Sequence, residues 1–518
     1  MNLIDKAVSF FNPKAGLKRT AARQALDVMN KGYSEHGASK TKNSMVSWHP
    51  SSGSADEDIH ENLDDLRERS RDLFYSAPLA TSAVKTSRTN VVGSGLKMRP
   101  KIIRELLNMS DQQADAWERL TEIEWLLWAE SIHCDAQRMN NFYELQQLAF
   151  SCWAINGDTF SLLPMIPRVQ LPYDIRVMLI EPDRIRTPDN YNSKKNIRAG
   201  VEIGKYGDVV AYHLLNHFPG DSKGLQSKYK RIEKFGKNSG RQNIIHLMMS
   251  ERVGQLRGLP MIAQVIEALK QMTRYTEAEI TAAVISAFFT VFIENKNNEN
   301  LGAFGADDDP YDSTTPAEDE DDDDEPSNIK LAPGAIVELA EGQSVKEANP
   351  ARPNSGFDTF IKAISIQIGA ALEIPADLLL KDFNKSYSAS RAALLEGWKT
   401  FRMKRDWFAN DFCQPIYEEW LTEAVAKGRI SAPGFLEDPI IRKAYCGAEW
   451  NGPAPGQIDP LKEVNAAAKR VKEGFSTREQ ETMGLTGGSF RDNMTAAKKE
   501  NELMKDSGLL EVTNAKKV

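Results

Sequence analysis

The sequence predicts an α+β protein that is mainly helical. Apolar residues recur at three- and four-residue steps through residues 355–427, which is the spacing of amphipathic helices. Residues 160–246 instead carry short β-branched runs separated by turn residues, a pattern typical of strands. The chain has 518 residues, of which 41% are apolar and 27% charged, enough for about two to four domains with a sizeable core.

The N-terminal segment, residues 1–55, predicts a basic arm. Its Lys and Arg residues surround a possible helix, and Gly, Ser and Pro then become frequent. A flexible surface tail and a partner-binding arm both fit this composition.

A helical stretch follows over residues 61–92. Pro78 lies near its middle and should break or kink the helix. The spacing of Arg67, Arg69 and Arg71 could allow contact with phosphates, but we expect these residues to form a solvated helix face.

Two further helices are expected at residues 110–130 and 141–155. Asp111 is the cap candidate of the first helix. Its Trp-rich face is expected to lie in the core.

The β-rich region, residues 160–246, is long enough for one small antiparallel domain. Its candidate strands are FSLLPMI, IRVMLIEP, AGVEIG, VVAYHLL and IIHLMM. A helix from Pro260 to about residue 287 would then be on the order of 40 Å long. Two strand candidates follow, FFTVFIE and GAIVEL.

An acidic tract occupies residues 307–325, with twelve Asp or Glu and no Lys or Arg. The net charge of the chain is -8, but this tract supplies twelve of the negative charges, so the rest of the chain is mildly basic. The net charge therefore does not exclude nucleic-acid partners. The tract lacks the oxygen spacing and glycine turn of a calcium loop, so we expect a disordered segment that repels DNA or engages a basic partner. The residues that represent it are Asp307, Asp308, Asp309, Asp321, Asp322, Asp323 and Asp324.

The C-terminal region, residues 428–518, predicts two or three helices. Pro460 begins one of them, and an apolar face is expected to point inward. The members of that face are Leu461, Val464, Ala468 and Val471. Ser476 is the expected cap of the next helix, with Glu479 completing a capping box.

Enzymatic motifs are missing from the sequence. It contains no G-x-x-x-x-G-K-[ST], H-E-x-x-H or G-x-S-x-G motif. Glu181, Asp183 and Asp189 resemble a nuclease cluster, but neighbouring arginines favour structural ion pairs. We therefore expect no catalysis, cofactor or metal.

The expected setting is a reducing cytoplasmic compartment without membrane insertion. The four cysteines are scattered, as reduced thiols usually are. The longest uncharged apolar stretch, residues 280–293, is shorter than the roughly 20 residues that span a bilayer. The N-terminus is a poor signal peptide because charges interrupt its apolar run.

A short polar loop joins the two helical patterns of residues 355–427. The loop residues are Lys381, Asp382, Phe383, Asn384, Lys385, Ser386, Tyr387 and Ser388. Two helices that present a basic, hydroxyl-rich loop suit a ring that handles a polyanion.

Several stretches together resemble the lambda-type portal proteins of tailed phages. They include RERSRDLFYSAPLATSAVKTSRTNVVGSG, IEPDRIRTPDN, IIHLMMSERVGQLRGLPMI and LEIPADLLLKDFNKSYSASRAALLEGWKTFR. The last is similar to the family's tyrosine-serine-x-x-arginine stretch, here Tyr387, Ser388 and Arg391. The resemblance extends in order over roughly residues 45–505, and the acidic tract departs from it.

The resemblance implies a portal protein, with a ring of typically twelve subunits at one capsid vertex. Terminase, through its large subunit, would drive double-stranded DNA through the channel, and the DNA would later be ejected. A head-tail adaptor, the major capsid protein and scaffold are the other implied partners. The protein would lie in the virion, and in host cytoplasm during assembly. A DNA-processing enzyme and a non-DNA scaffold or adaptor ring are the alternatives.

The resemblance also implies a division of the chain. The parts are a basic arm at 1–55, a wing at 56–257, a first stem helix at 258–289, a clip at 290–350 with the acidic insert at 306–325, a second stem helix at 351–375, a tunnel loop at 376–388, a long wing helix at 389–427 and a helical wing or crown region at 428–518.

In this assignment the polar loop would contact DNA weakly. Lys381 and Lys385 are offset by Asp382, and a channel must not bind phosphates tightly, because each neutralised phosphate adds affinity. Alternatively the hydroxyls cap the following helix, at Ser388 or Ser390. Arg391, in the first helical turn, opposes the helix dipole and should have an acidic partner, for which a neighbouring subunit is one candidate.

Overall fold

The structure is a computed structural model with two compact units, residues 1–58 and residues 59–518. It describes residues 13–15, 17–18, 38–40, 42–50, 52–189, 196–221, 226–288, 292–295, 343–346, 356–383, 386–456 and 459–507. The acidic tract, the GAIVEL strand candidate and most of the basic arm lie outside these ranges.

Helices and strands alternate along the described chain. The α-helices are α1 (Ala55–His60), α2 (Leu63–Ser76), α3 (Pro78–Val91), α4 (Asp111–Ala129), α5 (Phe142–Asn156), α6 (Ile266–Phe288), α7 (Phe357–Ala371), α8 (Ala376–Leu380), α9 (Tyr387–Phe408), α10 (Gln414–Ala426), α11 (Pro439–Tyr445), α12 (Pro460–Lys472), α13 (Arg478–Thr486) and α14 (Phe490–Asp506). The strands are β1 (Lys97–Pro100), β2 (Asp158–Leu162), β3 (Met178–Ile180), β4 (Ile197–Arg198), β5 (Val201–Ile203), β6 (Val209–Leu215), β7 (Tyr229–Glu233), β8 (Ile244–Met248), β9 (Phe292–Asn295), β10 (Gln343–Lys346) and β11 (Ala448–Asn451).

The β-rich region forms two antiparallel sheets. One has the order β3-β2-β8 and the other the order β4-β5-β6-β7. The five predicted strands are confirmed. Strand β7 was missed because its sequence, YKRIE, is mostly charged and gives little hydrophobic pattern.

The helix boundaries follow local chemistry. Helix α2 ends at Ser76 and α3 begins at Pro78, so the predicted break is confirmed. The cap of α4 is Ser110 rather than Asp111, because the Ser110 side chain accepts from the N–H of Gln113 and the Gln113 side chain accepts in return.

The main core is built around Trp125 of α4, which is fully buried. Its ring lies 5.2 Å from Phe142 and 5.1 Å from Trp420, edge to face in both cases. Such edge contacts add to the area that aromatic rings bury. The Trp-rich face therefore joins α4, α5 and α10, as expected.

Helices α6 and α7 pack side by side over a second core. Met272 and Ile368 are buried within it, and the rings of Tyr275 and Phe360 lie 5.0 Å apart. Helix α6 begins at Ile266, after a short 3-10 turn, and not at Pro260. Beyond them, β9 pairs antiparallel with β10.

The long helix begins at Tyr387, two residues before the predicted boundary. It continues from α9 through a π-helical turn, Ala409–Cys413, into α10. Such single π turns occur within otherwise α-helical segments.

The C-terminal helices contradict the expectation for their apolar face. Leu461 is 75% exposed and Val464 51% exposed, although α12 contacts α13. The next cap is Thr477, which forms a capping box with Gln480 in place of Ser476 and Glu479.

Candidate functional site

The predicted loop begins where the short helix α8 ends. The N–H groups of Lys381 and Asp382 both turn back to the carbonyl of Asp377. Lys381 has φ 56°, in the left-handed region, which costs a residue with a Cβ about 1–2 kcal/mol. A defined helix-ending turn therefore presents the Lys381 side chain, which is exposed.

The loop ends at the N-terminus of α9. Ser386 is extended and occupies the N-cap position, and its side chain makes no capping hydrogen bond. Ser388 and Ser390 lie inside the helix, so the expected capping by either residue is wrong. Ser386 and Ser388 are exposed.

Only part of the predicted loop is described. Phe383 is 57% exposed, and Asp382 is half-buried. Asn384 and Lys385 lie outside the described residues, as does the side chain of Tyr387.

The base of the loop is held firmly. The Ser82 hydroxyl of α3 donates to the carbonyl of Leu379 at 2.7 Å, and Leu379 is buried. Gly369 of α7 lies against the following turn, where a Cβ would come within 2.6 Å of the Ile374 carbonyl. Helices α3, α7 and α8 thus fix the position at which the loop starts.

Arg391 has the acidic partner that the helix-dipole argument predicts. Its Nη1 lies 3.3 Å from Oε1 of Glu463, in the same chain. Glu463 is in the first turn of α12, where a carboxylate is favourable. The pair joins the start of the long helix to the start of the C-terminal helices.

A buried ion cluster that the sequence reasoning missed surrounds Asp158 in the β-rich region. Asp158, at the start of β2, accepts from Nη2 of Arg67 and from Nε of Arg257, each at 2.6 Å. His246 Nε2 lies 3.2 Å from the same carboxylate. The expected solvated face of α2 is therefore wrong for Arg67, which is only 2% exposed, although Arg69 is exposed as predicted.

The protonation states of this cluster follow from burial and charge. Burial alone raises the pKa of Asp158, but the guanidinium groups of Arg257 and Arg67 outweigh burial and hold that pKa well below its ordinary value. Burial lowers the pKa of His246. Asp158 is therefore ionised and His246 is neutral near pH 7.

Arg257 connects the ion cluster to the segment that precedes α6. Its guanidinium also donates to the carbonyls of Pro182, Ile185 and Ala199. At the next residue, Gly258 packs directly on Gly157, leaving no room for a Cβ. The approach to α6 is thereby bonded to both sheets.

Asp183, the central residue of the possible nuclease cluster, forms structural contacts instead. Asp183 pairs with Arg71, and its carbonyl accepts from Arg186. Within the described ranges, no three His, Cys, Asp or Glu side chains are grouped for a metal ion. None of the helices in those ranges has the length and apolar content that crossing a bilayer requires.

The chain matches the model of a known protein family. The model of phage portal proteins, lambda family, matches residues 41–405. Portal proteins are structural components of phage particles. Within that class, the chain belongs to the lambda family.

Relatives of similar length agree with the family match. Portal protein B of Escherichia phage lambda is 24% identical over 457 residues, which cover 86% of this chain and 85% of the relative. The portal protein of Escherichia phage N15 is 24% identical over 445 residues, covering 84% and 83%.

The solved structures to which the chain is similar include those of gene transfer agent particles. The neck of the native particle computed with C12 symmetry gives a TM-score of 0.40 at 14% identity, covering 80% of this chain and 93% of that one. The neck of the empty particle computed with C6 symmetry gives 0.44 at 14% identity, covering 82% and 94%.

Proposed function

We propose that this portal protein assembles into a ring, with twelve copies expected, that forms a DNA channel at one capsid vertex. Terminase drives double-stranded DNA inward through the ring, and the DNA later leaves by the same route. The role is structural and not enzymatic. The protein resides in the virion, and in host cytoplasm while particles assemble.

The observation that carries this proposal is the exposed loop on a fixed base. Lys381 projects from a helix-ending turn, while Ser386 and Ser388 are exposed at the other end. The N-terminus of α9 adds a weak positive potential there. Lys381 and Lys385, offset by Asp382, and neutral hydroxyls on each of many subunits contact phosphates without binding DNA tightly enough to stop its movement.

The division of the chain into portal parts belongs to the same proposal. Helices α6 and α7, which pack side by side, serve as the two stem helices. The β9–β10 pair begins and ends the clip between them. The sheets and α4 belong to the wing, and α12, α13 and α14 to the wing or crown.

The remaining proposed contacts are with other phage proteins. The clip faces the large terminase subunit during packaging and the head-tail adaptor afterwards, and the wing meets the major capsid protein and scaffold. The acidic residues 307–325 repel DNA at the channel exit or engage a basic partner. Deleting residues 306–325 should alter packaging or adaptor docking, and a normal phage yield would contradict that role.

Electron microscopy of the purified protein tests the assembly. We expect a ring whose central hole clears a B-form duplex, on the order of 20 to 40 Å across. A stable monomer or dimer would overturn the ring.

A substitution of Lys381 tests the loop. Lys381→Gly removes the charge yet suits the left-handed backbone better than lysine does, so the fold and the ring should persist. We expect slower or less complete DNA packaging, which deepens several-fold when Lys385→Gly is added. The matched control is Lys237→Ala, which removes an exposed lysine of the β-rich region (79% exposed side chain). Equal packaging by the unchanged protein and by all three variants would exclude a DNA role for the loop.

A further inference from the structure

An exposed apolar stripe runs along the outer side of α4. Its residues, Leu120, Ile123 and Leu127, are 47%, 49% and 61% exposed. Residues three and four apart are neighbours on a helix surface, so the three side chains form one continuous stripe. Another side of α4, which carries Trp117 and Trp125, is buried in the main core. The helix therefore has two apolar sides, and the chain itself buries only one of them.

An apolar groove of about 630 Å³ lies between α12, α13 and the start of α14. The apolar side chains in its lining include Val464, Ala467, Val471, Leu485 and Phe490. Val464 belongs to the face of α12 that the sequence predicted to be buried, yet it is half exposed. Contiguous exposed apolar surface of this kind is typical of interaction sites.

The stripe ends on negative charge, and the groove carries positive charge. Residues 120–130 contain three Glu and no Lys or Arg. Glu130 is the exposed member of the three, and it lies at the C-terminus of α4, where the helix dipole adds negative potential. Arg119, the single cation of α4, is at the other end of the stripe. Lys472 and Arg478 line the groove, and neither forms an ion pair within the part of the chain that the structure describes.

The stripe and α14 lie on different sides of α4. Asp115 pairs with Arg491 of α14 at 2.7 Å, and the charge of Arg491 also acts on Glu118 and Glu122. With 3.6 residues per turn, the stripe is roughly 140° around the helix axis from these three carboxylates. The stripe thus points away from a helix that forms the groove, so the two surfaces do not meet within one chain.

We propose that the α4 stripe of one copy docks into the α12–α14 groove of the next copy in the ring, an inference that rests on the proposed portal assembly. Contact between two different surfaces of one chain is head-to-tail, and it closes into a ring when the rotation permits. A helix that inserts residues at i, i+3 and i+7 into an apolar groove is a common mode of recognition. The three stripe residues have this spacing, and the Glu130 end of α4 approaches Lys472 and Arg478 in the complex.

Chemical cross-linking of assembled rings tests the interface. The variant carries Ile123→Cys and Val464→Cys, one substitution in each surface, and a short bis-maleimide joins cysteines of neighbouring copies. We expect covalent species longer than dimers, because each chain then offers one cysteine to each of its two neighbours. The two single variants measure the background from the four native cysteines. The matched control is Val169→Cys with Val464→Cys, since Val169 is 91% exposed and belongs to neither surface.

A charge substitution measures the contribution of the stripe. Ile123→Lys places a cation in a groove that already contains Lys472 and Arg478. It should raise the protein concentration required for half-maximal ring formation by about tenfold or more, as changes near the centre of an interface do. Val169→Lys is the control and should assemble as the unchanged protein does. Circular dichroism verifies that both variants keep their fold.

Three cross-linking results would overturn the interface. Dimers in a single variant, above the native background, would mean that like surfaces meet. Monomers alone in the Ile123→Cys and Val464→Cys protein would mean that another phage protein or another segment of the same chain covers the two surfaces. Equal products from the control pair would show random collision. Electron microscopy of the unchanged protein scores ring formation separately, so this interface can fail while the portal proposal stands.

Discussion

Arg67 Nη2 donates to Asp158 Oδ1 at 2.6 Å, and both side chains are almost completely buried. They are 91 residues apart, so the contact ties α2 to β2, the middle strand of the β3-β2-β8 sheet. Arg257, 99 residues from Asp158, closes the other side of the carboxylate. Removing one member of a buried ion pair leaves an uncompensated charge, even where the intact pair contributes little net stability.

Asp158→Asn should therefore lower the free energy of unfolding by about 3–5 kcal/mol, because it leaves Arg67 and Arg257 buried without a counter-ion. Chemical denaturation of the subunit measures the change. Asp65→Asn is the matched control, since Asp65 pairs with Arg69 on the exposed side of α2 and should cost less than about 1 kcal/mol. Similar losses in the two variants would contradict the role given to burial.

The carboxylate of Asp158 should make the free energy of unfolding depend on pH in the acidic range. Its pKa is lower in the folded protein than in the unfolded chain, so the unfolded state binds more protons as the pH falls. The stability that Asp158 contributes is fully present above its unfolded pKa, about 4, and is lost as the pH falls towards the folded pKa. The difference in unfolding free energy between the unchanged protein and Asp158→Asn should thus shrink below about pH 4. Denaturation curves from pH 7 to pH 3 measure it, and a constant difference would contradict the assignment.

Local signals predicted much of the fold, because the residues that produce them are close in sequence. Pro78 separates α2 from α3, and the β-branched runs that begin between residues 160 and 246 form β2, β3, β5, β6 and β8. Boundaries were less predictable where neighbouring hydroxyl groups compete to cap a helix. Ser386 precedes α9, although Ser388 and Ser390 have equally suitable side chains.

The buried ion cluster could not be predicted from spacing. Arg67 and Arg71 lie on the same face of α2, and that face looks solvated because its neighbours are charged. The partners that turn it inward, Asp158 and Asp183, come from distant segments. The available signal was the sequence Gly157-Asp158 between α5 and β2. A glycine at this position permits the close approach of Gly258.

The ion pair between Arg391 and Glu463 predicts a modest coupling. Because Arg391 is 40% exposed and the two atoms are 3.3 Å apart, the pair should contribute about 0.2–1 kcal/mol in a double-mutant cycle. Arg391→Gln and Glu463→Gln should each destabilise slightly, and the double variant should cost less than their sum. Strictly additive losses in denaturation experiments would show that the two side chains are not coupled.

Replacing glycine with alanine should have opposite effects on stability at Gly258 and at Gly484. A Cβ at Gly258 would lie 1.9 Å from the carbonyl oxygen of Gly157, and this oxygen belongs to the backbone and cannot move aside as a side chain would. Gly258→Ala should therefore destabilise the subunit by about 1–3 kcal/mol, the range of overpacked sites. Gly484, in α13, has nothing within 4 Å of a Cβ, so Gly484→Ala should stabilise by up to about 1 kcal/mol through helix propensity. Thermal unfolding of the two variants measures both signs. A tolerated Gly258→Ala would mean that the segment before α6 is not packed tightly against Gly157.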